Sequence, residues 1–407
     1  MFPELLAPAG DPEKMRFAFA YGADAVYLGV PFFSLRARQN EFQLEQLREG
    51  IQYAHALGKK VYVTANVFAR NRKVNQFLPQ FNDWVDCKPD AFIMSDPGLM
   101  MQARENFSDV AIHLSVQANC MNYESVKFWH RSLGVERVIL SRELQINEIR
   151  EIHERVPEVE LEAFVHGAIC IAYSGRCFLS SYMSYRDANQ GVCDNSCREK
   201  YVLKEKVLED LRDPGSAYPI EEDEEGTYIM SAKDLCMIEH LRDLRDAGVV
   251  SFKIEGRTKS ANYVAQVSRA YRKAIDQIDQ PFDASLLEDL NKVANRGFHT
   301  GFLNGKPGPE GQNYEAGTSF SSLRRFSGLL RGEVSPEGLH AVEVRGAIEK
   351  GKSYELLVPG KPARIVNIEV LLDKNQNSTQ KVHPGTGRCW INPLGEKCEY
   401  GILSELL

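Results

Sequence analysis

Apolar and polar positions along this chain follow two alternating periods. Short runs rich in β-formers recur: "PELLAP" from Pro3, "AVYLG" from Ala25, "KVYVTANV" from Lys60, "AFIMSD" from Ala91, "IHLSVQAN" from Ile112, "RVILSRE" from Arg137, "LEAFVHG" from Leu161 and "SFKIEGR" from Ser251. Between them the spacing turns helical, as where Leu44, Leu47, Ile51, Ala54 and Leu57 share one stripe that Gly58 ends. Asp11 before Pro12 reads as an N-cap with proline at the first helical position, and Gly22 stands where that helix would stop. Eight strands, nearly all followed by a helix, predict an α/β fold. The expected form is a TIM-like (β/α)8 barrel, with a doubly wound open sheet as the alternative. The barrel is favoured because polar residues stand just after so many strands: Asn66, Asp96, Gln117, Arg142, Glu143, His166, Glu255 and Arg257. In such barrels the C-terminal strand ends build the active site.

The seventh and eighth strands are set unusually far apart, one opening at Leu161 and the other at Ser251. An insertion of about residues 168–245 between them is the expected cause. It contains "EEDEEG" from Glu221, which reads as a solvated loop. It ends in "TYIMSAKDLCMIEHL", which reads as a short strand and then a helix capped by Ser231 or Asp234. After the eighth strand, "SANYVAQVSRAYRKAIDQ" predicts a closing helix with Val264, Val267, Tyr271 and Ala274 facing inward. From about Ser319 the pattern changes to "SGLLRGEV", "HAVEVRG", "SYELLVP", "RIVNIEV" and "RCWINP", punctuated by Gly, Pro and Asn. These runs predict a small all-β, barrel-like domain. The expected division is 1–318 for the barrel with its insertion and 319–407 for the β domain.

Composition narrows the class of protein. With 43% hydrophobic and 26% charged residues among 407, the chain matches ordinary soluble domains able to bury a large core. No basic stretch followed by a long apolar run opens the sequence, and no apolar window is long enough for a membrane span. A cytoplasmic protein without a membrane partner is therefore expected. Thiols stay reduced in that compartment, so clustered cysteines suggest metal or catalytic use. The net charge of -7 gives no electrostatic sign of nucleic acid, although it leaves room for local basic patches, and no DNA partner is expected.

Candidate chemistry concentrates in the thiols. Cys170, Cys177, Cys193 and Cys197, four of the nine cysteines, fall within 28 residues. Only the second pair has the tight knuckle spacing of a zinc ribbon, whereas the spacings of iron–sulfur ligands vary more between families. An iron–sulfur cluster, zinc and unligated thiols all stay open on spacing alone. Cys236, beside Leu235 and Ile238 in the expected helix, reads as a buried structural thiol, and Cys87, Cys120, Cys389 and Cys398 read as inert. His166 closes the seventh strand just before the first thiol and is a candidate catalytic group, as are Glu255, Arg257 and Arg142. Each of these equally suits a structural role. Gln117, Lys259 and the arginines Arg36 and Arg38 of "SLRARQNEF" are candidate substrate contacts, because cations at a barrel mouth hold anions. "GAIEKGKS" from Gly346 matches the phosphate-loop pattern, but strand-like "YELLVP" follows it where a helix is needed. Nucleotide binding is not expected there. "HERVP" from His153 lacks a second histidine, and no Gly-x-Ser-x-Gly elbow occurs, so peptidase hardware is not visible.

The runs "EAFVHGAICIAYSGRCFLSSY", "NQGVCDNSCREKY", "YIMSAKDL" and "FKIEGRTKSANYVAQVSRAYRKAID" together resemble the family of collagenase-like U-type peptidases. "ELLAPAG", "FAYGADAVYLG", "SLRARQNEF", "SDPGLMM", "HLSVQAN" and "VILSREL" are similar to its tRNA-hydroxylating bacterial members in particular. The resemblance covers roughly Pro3 to Tyr314 and, more loosely, the C-terminal domain. It implies oxygen-independent hydroxylation of the wobble uridine of tRNA at carbon 5, with prephenate supplying the hydroxyl group and an iron–sulfur cluster required, expected as a 4Fe-4S cluster. Residue by residue, it places the ligands on Cys170, Cys177, Cys193 and Cys197 and leaves Cys236 outside the set. The chain departs from the pattern in a shorter insertion after Tyr201.

The partners so implied are the anticodon loop of tRNA, whose unpaired base can be splayed into a pocket, and a small dicarboxylate. A mouth of His166, Glu255, Arg257, Arg36 and Arg142 would hold that dicarboxylate, since guanidinium groups grip carboxylates in a bidentate fork. Arg324, Arg325, Lys350, Lys352, Lys361 and Arg364 of the β domain are a candidate second tRNA contact, with a stabilising lid as the alternative. The rival functions are hydroxylation of ribosomal RNA or of a quinone precursor, peptide hydrolysis, and a non-enzymatic cluster-carrying subunit.

Overall fold

A computed structural model describes residues 2–35, 42–169, 174, 177, 193, 207–209, 217–219, 221–223, 226–228, 232–305, 311, 313 and 323–407. Seven strands, β1 (Glu4–Pro8), β2 (Ala25–Gly29), β3 (Lys60–Ala65), β4 (Ala91–Met94), β5 (Ile112–Leu114), β6 (Arg137–Ile139) and β7 (Glu160–Gly167), pair in parallel in sequence order. An eighth strand, Val249–Ile254, pairs in parallel with both β7 and β1 and closes the barrel. The TIM-like architecture is thus present, and the open-sheet alternative falls on that closing pair. Helices α1 (Pro12–Ala20), α2 (Leu44–Ala56), α3 (Asn71–Val85), α4 (Pro97–Asn106), α5 (Tyr123–Leu133) and α6 (Ile146–Arg155) alternate with the strands. Short polar side chains cap α1, α4 and α5: Asp11 accepts from the Lys14 amide at 2.8 Å, Asp96 from the Gly98 amide at 2.9 Å and Asn122 from the Ser125 amide at 2.9 Å. In α2 the stripe holds at its centre, where Leu47, Ile51 and Ala54 are buried, while Leu44 and Leu57 at its ends are exposed.

β7 carries a bulge. Lys253 pairs with Phe164 and Ile254 with His166, so Val165 is an extra residue in the strand. The carbonyl freed there is not wasted, since it accepts from the Met237 amide at 2.8 Å and from the Tyr271 hydroxyl at 2.7 Å. The Met237 amide comes from a short strand, Asp234–Cys236, that runs antiparallel to β7 with Leu235 opposite Gly167 and Cys236 opposite His166. This corrects the expected helix in "SAKDLCMIEHL". A one-turn 3-10 helix spans Ile238–His240 and the α-helix only begins at Leu241. Asp234 caps nothing and pairs with Arg296 in the interior. Ser231 lies outside the described residues. The acidic stretch also differs from the expected loop, because Glu221–Asp223 and Gly226–Tyr228 pair as antiparallel strands.

The C-terminal region forms a seven-stranded antiparallel sheet. The five expected runs are present in it, and a strand the sequence pattern did not single out, Glu399–Leu406, lies near its centre between Arg324–Val334 and Ser353–Leu357. "GAIEKGKS" turns from the short strand Ile348–Glu349 into Ser353–Leu357 with no helix after it, as its neighbours predict. The sheet packs on the barrel through Leu329, Leu357 and Ile402 against Phe17, Tyr21, Ala261 and Ala265. The closing helix, Ala261–Asp276, is therefore covered on two sides. Val264, Val267, Tyr271 and Ala274 are buried as expected, and Ala261 and Ala265 are buried by the sheet.

Candidate active site at the C-terminal mouth of the barrel

Arg257, just past the eighth strand, is buried and fully committed to holding loops in place. Its Nη1 donates to Ser34 Oγ at 2.6 Å and to Thr64 Oγ1 at 2.9 Å, and its Nη2 donates to the Leu35 carbonyl at 2.7 Å. Asn66 completes the seam, accepting from the Leu35 amide at 3.1 Å and donating to Ser115 Oγ at 3.3 Å. The loop after β2 is thereby sewn to β3, β5 and the eighth strand. Gly10 is what lets β1 approach so closely, because a Cβ there would stand 2.0 Å from the Arg257 carbonyl oxygen.

Arg142, just past β6, is placed quite differently. Its guanidinium carbon lies 3.8 Å over the centroid of the Phe164 ring, and among the described residues it has no hydrogen-bond or ion-pair partner. An arginine stacked in this way keeps its N–H fork directed away from the ring, the arrangement that receives a carboxylate or phosphate. The adjacent Glu143 accepts from the Ser174 amide at 2.9 Å and from Ser174 Oγ at 3.3 Å, and Asn119 Nδ2 donates to the Ser174 carbonyl at 3.1 Å. Ser174, which stands between Cys170 and Cys177 in the chain, is thus held by residues that follow β5 and β6. Gln117, in the 3-10 turn Val116–Ala118, is half-buried on the same side of the mouth. Cys177 is half-buried and Cys193 exposed. Cys170, Cys197, Arg36 and Arg38 lie outside the described residues. Among the described residues no three His, Cys, Asp or Glu side chains converge as metal ligands.

The bulge in β7 decides where His166 faces. In a regular strand it would share the inward face of Glu162 and Phe164. Instead it packs at 6.0 Å from the Tyr263 ring, 5.3 Å from Tyr271 and 5.6 Å from Phe298. The structure thus groups His166 with the closing helix and does not place it beside Arg142. Its tautomer follows from the Tyr271 hydroxyl, which spends its only proton on the Val165 carbonyl at 2.7 Å. At the 3.3 Å contact with that hydroxyl, His166 Nδ1 must be the donor, so Nε2 keeps its lone pair. Burial holds the imidazole neutral, with a pKa lowered to about 4. Cys236 Sγ stands 3.7 Å from the same hydroxyl, and burial pushes this thiol up to about 11, which makes it a poor nucleophile. Gly167 permits the tight turn that follows: its φ is +104° and a Cβ would stand 2.5 Å from the Glu255 carbonyl oxygen. Glu255 donates its amide to the His166 carbonyl at 2.8 Å, and its Oε2 lies 3.2 Å from the Tyr27 hydroxyl. Lys259 Nζ lies 5.3 Å over the Tyr263 ring.

Sequence reasoning missed a buried ionic network in the barrel interior, toward the N-terminal end. Arg137 pairs with Glu4 at 2.7 Å, with Glu160 at 2.7 Å and with Glu162 at 3.4 Å, while Lys253 pairs with Glu162 at 2.8 Å. Tyr62 donates to Glu4 at 2.7 Å, and burial with the nearby Arg137 and Lys253 charges holds the His113 imidazole neutral. A depression of about 450 Å³ opens beneath it, lined by Lys60, Asp90, His130 and Glu158 among others. In the β domain, five of the six cations considered for a second contact are paired: Arg324 with Glu355, Arg325 and Lys352 with Glu405, and Lys361 and Arg364 with Glu396. Lys350 has no ion pair among the described residues.

No helix among the described residues is long and apolar enough to cross a membrane. Comparison with known proteins supplies what geometry cannot. The chain is 46% identical, over 98% of its own length and 95% of the relative's, to the "tRNA hydroxylation protein P" of Escherichia coli (strain K12). It is likewise 46% identical to the protein of that name from Haemophilus influenzae, covering 88% of this chain and 86% of the relative. A more distant relative is the "23S rRNA 5-hydroxycytidine C2501 synthase" of Escherichia coli, 33% identical over 96% of this chain and 56% of that protein. Residues 10–313 match the model of peptidase family U32, and the chain belongs to that family.

Proposed function

We propose that this protein is a tRNA-modifying enzyme that hydroxylates the wobble uridine at carbon 5 without molecular oxygen, with prephenate as the hydroxyl donor. The observation that carries the reading is the 46% identity over nearly the whole of both chains to a tRNA hydroxylation protein. The ribosomal RNA hydroxylase among the relatives supports the same chemistry on a different RNA. In this reading Arg142 receives a carboxylate of the co-substrate, Arg257 positions the loop above β2, and His166 serves as a neutral acceptor through Nε2. Glu255, Lys259, Gln117, Arg36 and Arg38 are the remaining candidates for substrate contact. Cys170, Cys177, Cys193 and Cys197 would hold a 4Fe-4S cluster, four thiolates being its usual donor set. When bound, such a cluster would supply one-electron chemistry. A cytoplasmic location follows from a tRNA substrate.

Peptide hydrolysis is disfavoured on geometry. The partners of His166 are the Tyr271 hydroxyl and aromatic rings, and the nearby Cys236 thiol stays protonated at neutral pH. The decisive measurement is nucleoside mass spectrometry of tRNA from a strain lacking the gene. Loss of 5-hydroxyuridine derivatives, restored by the wild-type gene, is expected; unchanged levels in a strain with no second pathway would refute the reading. Anaerobically purified protein should be brown, with about four iron and four sulfide per chain. Single alanine variants of Cys177 and Cys193 should be colourless, and Cys236→Ala should keep its colour.

A further inference from the structure

The ionic network at the N-terminal end of the barrel leaves one buried group out. Arg137 and Lys253 are matched by Glu4, Glu160 and Glu162, and Tyr62 and Ser251 both donate to Glu4, at 2.7 and 2.9 Å. His113 in β5 is only 6% exposed, yet its side chain has no hydrogen bond among the described residues. Its ring meets Tyr62 edge-on at 4.8 Å, and its Nδ1 is buried without a partner. A network built only to close the barrel would satisfy such a group. An N–H stranded at Nδ1 would waste a donor, so the proton of the neutral ring belongs on Nε2, the nitrogen left to face the depression that His113 lines.

The groups around that depression fall into two sides. Lys60, Glu136 and Glu158 line it, are exposed, and have no side-chain hydrogen bond or ion pair among the described residues. His130 gives its Nδ1 proton to the Val135 carbonyl at 2.8 Å, which leaves the Nε2 lone pair. The other two carboxylates there are engaged, Asp90 by the Val61 amide and His55, and Glu160 by Arg137. The available donors are therefore Lys60, at the start of β3 and near enough for its charge to act on His113, and His113 itself. The available acceptors are Glu136 and Glu158, which precede β6 and β7, and His130 at the end of α5. The two sides adjoin, because the Glu136 amide donates to the Ile112 carbonyl of β5 at 3.1 Å and neighbouring strands stand roughly 5 Å apart. A lone anion would be repelled by the free carboxylates and a lone cation by Lys60. A molecule carrying both an ammonium and a carboxylate satisfies both sides.

We propose that this depression is a second ligand site, at the opposite end of the barrel from the mouth, for a small zwitterion of the amino-acid class. The carboxylate is held by Lys60 and His113 Nε2, and the ammonium by Glu136, Glu158 and His130 Nε2. The site does not depend on the RNA-modifying reading, because none of these groups belongs to the mouth.

The test is isothermal titration of the full-length protein with the common amino acids, each alone, and with acetate and ethylammonium as single-charge probes. At least one amino acid should bind saturably with one site per chain, and neither single-charge probe should. The double variant Glu136→Gln, Glu158→Gln and the single variant Lys60→Met should each weaken that binding about tenfold or more, the worth of a hydrogen bond to a charged group. These side chains are exposed, so both variants should melt with the wild type when no ligand is present. Arg142→Ala, at the mouth, should bind the amino acid as the wild type does. Titrations in which no amino acid binds would overturn the proposal, as would binding that survives both variants or is lost in Arg142→Ala. Acetate or ethylammonium binding as tightly as the amino acid would overturn it too, by showing that one charge is enough.

Discussion

Arg137 and Arg142 bracket β6, one at each end of the barrel, and their surroundings could hardly differ more. Arg137 is surrounded by the carboxylates of Glu4, Glu160 and Glu162 and raised in pKa by them. Arg142 lies on the Phe164 ring with no charged partner among the described residues. A guanidinium enclosed in a barrel must be paired, because leaving its charge uncompensated costs several kcal/mol. One at the rim can keep its hydration and its N–H fork while an aromatic face supports it. The same side chain is thus consumed by the fold at one end and presented to ligands at the other. Position along the strand, not residue type, separates the structural cation from the functional one.

Substitutions can sharpen or break that contrast. Arg137→Ala removes the cation shared by Glu4, Glu160 and the fully buried Glu162, leaving Lys253 alone to hold the last, and should destabilise the protein by about 3–5 kcal/mol in urea titrations. A loss below about 1 kcal/mol would show that the network is not holding the closed end. Next in size is an acid effect at the other end. His166 has a pKa of about 4 in the fold against 6.5 for an ordinary histidine, so between those values the unfolded chain binds a proton that the folded chain refuses. Stability should therefore fall as pH drops from about 6.5 toward 4, by up to about 3 kcal/mol from this group, with His113 acting in the same direction. His166→Gln should lose visibly less on the same descent; an identical loss would place the imidazole in solvent instead. Smallest in stability is Arg142→Ala, expected within about 1 kcal/mol of wild type. Its effect belongs in kinetics, where the KM for the carboxylate co-substrate should rise about tenfold or more. An unchanged KM would return Arg142 to a packing role.

These contrasts also mark how far the sequence could be read. All eight barrel strands and the capped helix at Asp11 were legible because β-rich runs, helical stripes and caps are local signals. The positions of Arg142 and Arg257 just past strand ends were legible for the same reason, whereas His166 lies within β7 and faces the closing helix. Glu4, Arg137, Glu162 and Lys253 were not, because a charge at alternate strand positions reads as a solvent face until closure turns that face inward. The strand Asp234–Cys236 escaped notice for a related reason: three residues carry no period, and their partner, Gly167, is far away in the chain. Glu399–Leu406 likewise acquires its central place from two partners that precede it.

The sequence by itself determined the succession of strands and helices, the break after the seventh strand, the clustering of four thiols and the family to which the chain belongs. Only the tertiary structure decided which way the mouth residues point. One extra residue, Val165, turns His166 from the barrel interior to the closing helix and fixes its tautomer through Tyr271. Arg257 was drawn into the β2 loop, while Arg142 was left on an aromatic ring with its fork outward. Local pattern specifies elements, because backbone periodicity is a near-neighbour property. Register, bulges and barrel closure are pairings between distant segments, and those pairings assign each side chain its partner.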